Sequence, residues 1–180
     1  MIRTRRGLIA AIVTLASLTL AGVMFFAARQ PSSQLKEELA AQVTKILEEA
    51  SPDEHHAHGH TTIESRVVCA VEPFGTEPPN ATSLVEVTWV YARHMCAVTG
   101  ASPDWASSVR AAGPIAVKIS IPPQVRVPEP GAGYPDRVRR LIPARYHEQA
   151  LREEFEDESP IDAARERFSL ATGQAGRPAR

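Results

Sequence analysis

The sequence predicts an α+β fold: an N-terminal transmembrane helix, then one helix packed on a small antiparallel sheet, then C-terminal helical segments and a disordered tail. Three observations carry this expectation. Residues 7–28 are uncharged and largely apolar, residues 34–50 repeat apolar side chains at helical spacing, and later stretches alternate apolar and polar residues as strands do.

The first run, GLIAAIVTLASLTLAGVMFFAA, makes a helix of about 33 Å, enough for a hydrocarbon core of about 30 Å. A secretory signal has a shorter apolar core and ends in small residues at its cleavage site. A cut after Ala27 or Ala28 would put Phe25 or Phe26 at the third position before it, and a cut after Ala21 would leave GVMFF on the product. No cysteine follows Leu20-Ala21-Gly22, so the lipid-attachment pattern of bacterial lipoproteins is missing. The reading is an uncleaved anchor, with a secreted product as the alternative. Arg3, Arg5 and Arg6 precede the run and only Arg29 and Lys36 follow closely, which places residues 1–6 in the cytoplasm and the rest outside.

The remaining residues suit one domain. The expected divisions are a cytoplasmic N-terminus at 1–6, the anchor at 7–28, a helix and His-rich linker at 29–61, an antiparallel α+β domain at 62–156, and a weakly helical to disordered tail at 157–180. The first 29 residues hold four arginines and no acid, so the exported part has 16 basic against 21 acidic residues, a net charge of −5. That balance argues against nucleic acid as a partner, because phosphate binding needs a basic face. The 15 prolines and 6% aromatics indicate a small core with long irregular connections.

In the exported part, Leu35, Leu39, Val43, Ile46, Leu47 and Ala50 form one helical stripe. Pro31 precedes it and Ser51-Pro52 ends it. Packing on a sheet is preferred to a coiled coil, since the stripe lasts barely two and a half heptads. Next, Asp53, Glu54, His55, His56, His58 and His60 form the one compositionally unusual segment. Neutral imidazole binds Zn²⁺, Cu²⁺ and Ni²⁺, so these histidines are the candidate metal ligands. A single flexible tract lacks the second rigid element of a structural site, and a solvated linker or a tag-like accident of composition are the competing readings. No other cofactor is indicated.

From Thr62 the period becomes alternating, with Ile63, Val67, Cys69 and Val71 on one face and Glu64, Arg66 and Glu72 on the other. PFGTEPPN (73–80) reads as a turn-rich connection. The stretch 83–98, SLVEVTWVYARHMCAV, reads as the central strand. Val85, Val87, Trp89 and Tyr91 share one parity while Cys96 and Val98 have the other, so either a bulge intervenes or the strand is buried on both faces. Residues 100–113 read as a loop with Trp105 over the core edge. Ile115, Val117, Ile119 and Ile121 alternate as a third strand, and 124–127 is a short edge strand, since Pro128 and Pro130 lack amide donors. Residues 134–141 form a helical turn packing Val138 and Leu141, and Pro143 opens a helix carrying Tyr146, Ala150, Leu151 and Phe155. The acids at 153–158 form a solvated face without the ligand spacing of a calcium loop. A last weak helix from Ser159 holds Ile161, Ala164 and Phe168, with disorder from Leu170.

Cys69 and Cys96 are the only cysteines, one on each of two consecutive predicted strands. In an exported domain that reads as a structural disulfide, worth about 3.6 kcal/mol for a loop of about 28 residues.

The arginine-flanked anchor, the segment VYARHMC and the segment YPDRVRRLIPARY together resemble uncharacterised small membrane-anchored or secreted proteins of actinobacteria. One helix followed by antiparallel strands is similar to the cystatin-like and nuclear-transport-factor-like (NTF2-like) cone folds. The resemblance spans roughly residues 34 to 150 and implies architecture alone. The cystatin inhibitor pattern Q-x-V-x-G is absent. Three function classes follow: a non-catalytic interaction module at the cell envelope with a protein partner, a metal-binding or metal-sensing surface protein, and a small cone-fold enzyme using His94, Tyr91 and Glu86 for acid-base work. No catalytic signature is present, which favours the first.

In intact spheroplasts, protease should therefore digest the domain from outside, and mass analysis should find the mature chain still carrying residues 7–28. A product beginning near Arg29 would turn the anchor into a removed signal.

Overall fold

The computed structural model describes residues 33–50, 66–100, 102 and 104–173. The apolar run at 7–28 and the histidines at 55–60 lie outside the described residues. Among those described, no helix is long and apolar enough to cross a membrane.

Helix α1 (Ser33–Glu48) buries Leu35, Leu39, Val43 and Leu47, each at most 2% exposed. Four strands follow as an antiparallel meander in the order β1-β2-β3-β4: β1 (Val67–Glu77), β2 (Trp89–Val98), β3 (Val109–Lys118) and the short edge β4 (Gln124–Arg126). A single turn, α2 (Trp105–Ser108), precedes β3, and α3 (Tyr134–Leu141), α4 (His147–Leu151) and α5 (Ser159–Ala171) close the chain.

The sheet is covered on both faces. Val67, Cys69 and Val71 of β1, Val90, Ala92, Cys96 and Val98 of β2, and Ile115 and Val117 of β3 pack under α1. On the opposite face Val68, Ala70 and Ala97 meet Trp105, Ala164 and Phe168, while Tyr91 and Ala116 meet Val138, Ile142 and Ala150. Burial on both faces resolves the parity puzzle of β2, because even-numbered residues from Val90 to Val98 keep one face throughout. The irregularities lie in its neighbours. Phe74 bulges from β1 between Pro73 and Gly75, and the β2–β3 register slips between Cys96 and Ala97.

Four expectations are corrected. The strand predicted from Ser83 begins only at Trp89, because the Glu86 carboxylate accepts from the Thr82 amide at 2.8 Å and folds 84–86 into a 3₁₀ turn that leaves Val85 fully in solvent. The turn predicted at 73–80 is strand as far as Glu77, since the bulge accommodates Phe74 and the missing amide of Pro73 falls on a sheet edge. The loop predicted at 100–113 holds α2, capped by Asp104 accepting from the Ser107 amide at 3.1 Å, and β3 starts already at Val109. Disorder does not begin at Leu170: α5 runs to Ala171, held by Ala164 and Phe168 in the core, with Phe168 edge-on to Trp105 at 5.6 Å.

Cys69 and Cys96 sit directly opposite in register, 4.1 Å apart at Cα, and are joined as a disulfide. The outer edge of β1 is blocked by side chains. Glu48 accepts from the Cys69 amide at 2.8 Å, Arg167 donates to the Cys69 carbonyl at 2.6 Å and pairs with Glu48 at 2.6 Å. Further along, the Tyr146 hydroxyl lies 3.4 Å from the Thr76 amide and 3.1 Å from its carbonyl. A strand edge occupied in this way cannot template a second chain.

The Tyr146 ring lies flat enough on Gly75 that a Cβ there would come within 2.6 Å of it. Gly75→Ala should cost roughly 1–3 kcal/mol in urea unfolding of the full-length protein in detergent. An unchanged unfolding midpoint would mean that the ring moves aside freely.

Candidate functional site

The residues singled out from sequence do not converge. His55, His56, His58 and His60 lie outside the described residues, and among those described no group of three or more His, Cys, Asp or Glu is placed to hold a metal ion. His94 is 1% exposed on the α1 side of β2, with Nδ1 2.8 Å from the Gly113 carbonyl. A carbonyl only accepts, so Nδ1 carries the proton. Tyr91 has odd parity and belongs to the opposite face, where burial pushes its phenol pKa up. Glu86 is exposed in its 3₁₀ turn, its carboxyl held below the ordinary range by the Thr82 amide. These three point to three different places, and both cysteines are consumed by the disulfide.

Sequence reasoning passed over Arg93. Strand parity turns it toward the C-terminal helices, where it is only 4% exposed. Its guanidinium donates from Nη2 to the Gln149 carbonyl at 2.8 Å, the one hydrogen bond that the described residues give it. No carboxylate among the described residues reaches ion-pair distance. Glu72, its partner in the β1 register, instead accepts from the backbone amides of Glu156 at 3.0 Å and Asp157 at 3.1 Å. Burial pulls the Arg93 pKa down while the nearby Glu72 pushes it up, and an arginine stays charged at neutral pH. Gln149 also carries a buried side-chain oxygen without a partner among the described residues.

Arg93 lines a cleft of about 300 Å³ together with Gly113, Pro114, Tyr134, Leu151 and Arg152. One wall carries Tyr134 and Pro135, which follow the loop 129–133 wound around Arg137: Nε donates to the Glu129 carbonyl at 2.8 Å, Nη1 to the Ala132 carbonyl at 2.9 Å and Nη2 to the Pro130 carbonyl at 3.0 Å. That loop delivers Tyr134 to the first position of α3. Gly113 lies beneath it with φ of +134°, and a Cβ there would sit 2.9 Å from the Tyr134 hydroxyl. Only glycine adopts that backbone easily and leaves the hydroxyl its place. Burial raises the Tyr134 pKa, against the opposing pull of Arg93, so the phenol is a neutral donor. No hydrogen-bond partner for it exists among the described residues.

The cleft thus combines a desolvated cation, a free O–H donor and apolar walls, which is the composition of an anion site rather than of a nucleophile or acid-base pair. A larger groove of about 440 Å³, between the end of α1 and residues 119–125, offers Ile46, Ile119 and Val125 but only exposed charges at Lys45 and Glu49. The signal for Arg93 was legible: one arginine inside WVYARHMCAV, a stretch too apolar for a solvated strand face. No protein-family model, no curated protein and no solved structure matches this chain.

Proposed function

We propose that this protein is a non-catalytic interaction module on the outer side of a membrane, held there by residues 7–28, and that it binds an anionic group at Arg93. The observation that carries the reading is a buried guanidinium lining a cleft, with no carboxylate among the described residues at ion-pair distance from it. Desolvating a charge costs several kcal/mol unless a partner returns it, and an incoming anion is such a partner. The apolar run, its flanking arginines and the paired cysteines support an extracytoplasmic location. A cystatin-like or nuclear-transport-factor-like cone is supported by the order of one helix and four antiparallel strands. Here α3 to α5 cover the second face, so the cleft opens between sheet and helices.

Small anions should raise the melting temperature of the full-length protein in detergent, and the rise should shrink in Arg93→Lys, which keeps charge but loses the planar fork. At a hundredfold excess over Kd the stabilisation is about 2.7 kcal/mol. If acetate, benzoate, phosphate and sulfate at tens of millimolar all leave the wild-type melting temperature unmoved, this reading fails.

A second reading is favoured by the composition of 53–60: a Zn²⁺ or Cu²⁺ site made by His55, His56, His58 and His60. Calorimetry on the full-length protein tests it, with all four replaced by alanine as the control. A used site binds one ion tightly near pH 7 and loses it as pH falls through the imidazole range near 6.5, because the ligands must be deprotonated. High-micromolar binding, or binding that survives the replacement, would leave the tract a linker.

A further inference from the structure

We infer that the ligand of the Arg93 cleft is a carboxylate carrying a short apolar group. The inference rests on the anion-binding reading above and goes beyond it by choosing the anion and its tail. Three features of the cleft decide between anions.

The first is charge. Besides Arg93 the cleft is lined by Arg152 and by Glu153. Arg152 already lies 3.9 Å from Glu148 and 3.7 Å from Glu156 at the surface. The cleft therefore offers a single uncompensated cation beside a fixed anion. A monoanion pairs with the buried Arg93 and meets Glu153, which is exposed, with only one like charge. A dianionic phosphate would double that repulsion, while Arg93 compensates only one of its two charges.

The second is donor geometry. The planar guanidinium presents parallel N–H groups that match the two oxygens of a carboxylate. With Nη2 already on the Gln149 carbonyl, the Tyr134 hydroxyl adds one further donor from the α3 side. Two to three donors satisfy a carboxylate. A tetrahedral oxyanion has more acceptors than the cleft has donors, and each one left dry weakens binding.

The third is the wall. Ala112, Pro114, Pro135, Ala150 and Leu151 line the rest of the cleft. None of these side chains has a polar atom, so the substituent beyond the carboxyl group must be apolar. About 300 Å³ is at the small end of ligand sites, which limits that substituent to a few carbons or one ring. Two sources supply this chemistry: a small free organic acid, or the C-terminus of a peptide ending in an apolar residue.

Calorimetry and ligand-observed NMR on the full-length protein in detergent separate these possibilities. The probes are acetate, butyrate, isovalerate and benzoate, with benzamide and inorganic phosphate as controls, and acetyl-Ala-Leu as free acid and as amide. Affinity should rise from acetate to isovalerate or benzoate and should be absent for benzamide. The gain for each added methylene is about two- to fourfold. Tyr134→Phe, which removes one oxygen and keeps the ring, should weaken benzoate about fivefold, and Arg93→Lys about tenfold or more. Binding should also fall below the pKa of the acid itself, near 4 to 5, because the protonated form carries no charge for Arg93.

Acetyl-Ala-Leu binding as free acid but not as amide, and more tightly than isovalerate, assigns the site to a chain terminus. The reverse order assigns it to a free acid. Phosphate binding as tightly as benzoate would overturn the carboxylate inference while leaving an anion-binding module standing. Binding of neither class would overturn both. An Arg93 variant that fails to fold does not blunt the test, since the probe series on the wild-type protein and Tyr134→Phe each decide it alone.

Discussion

Cys69 is the point through which all three layers of this fold are tied. Its sulfur bonds to Cys96 of β2, its amide donates to Glu48 at the end of α1, and its carbonyl accepts from Arg167 of α5. Arg167 and Glu48 then bond to each other around the sheet edge. A helix on either side of a sheet is ordinarily held by apolar contact, which is non-directional. Here charge-assisted hydrogen bonds fix where each helix lies along β1. The same bonds occupy backbone groups that would otherwise face solvent on an edge strand, so one cluster supplies both registration and protection.

A sheet buried on both faces changes what a charged residue within it means. On a strand with one wet face, Arg93 would be a solvated side chain needing no account. Because α3, α4 and α5 cover the odd-parity face, the same residue becomes a buried cation. Stability alone gives no reason for it: a methionine would fill similar space without desolvation, and replacing buried charges by apolar groups is often neutral or stabilising. The local architecture also withholds the obvious partner, since Glu72 is engaged by the amides at 156 and 157. What remains is a buried cation lining a cleft, held by a backbone carbonyl rather than by a counter-charge.

Legibility in the sequence followed the strength of the periodic signal. The α1 stripe from Leu35 to Leu47, the alternation of Val67, Cys69 and Val71 and the α3 turn around Val138 emerged from local spacing, because each is set by one buried face, whereas the disulfide emerged from the cysteine count. The start of β2 and the length of β1 did not. Val85 and Val87 continue the strand pattern in composition, yet the carboxylate of Glu86 between them, accepting from the Thr82 amide four residues back, diverts the backbone. Pro73 and Gly75 look like a turn, yet an edge position and a bulge absorb both. The tail was underestimated because Ala164 and Phe168 gain their burial from Trp105, which is distant in sequence.

The candidate site was harder to read for a related reason. His94 draws attention as a titratable residue, but strand parity sends it to the α1 face, where it donates to the Gly113 carbonyl. Its neighbour Arg93 points the other way, into a region whose walls come from residues 112–114, 134–135 and 150–153. No spacing rule links those segments. They meet because the β2–β3 pairing puts Gly113 beside the arginine strand and Arg137 winds the loop that carries Tyr134 over it. Gly113 is the hinge of that meeting: its positive φ and missing Cβ leave room for the tyrosine hydroxyl. The site is therefore a product of tertiary packing, and the chemistry it offers follows from which donors that packing leaves without a protein acceptor.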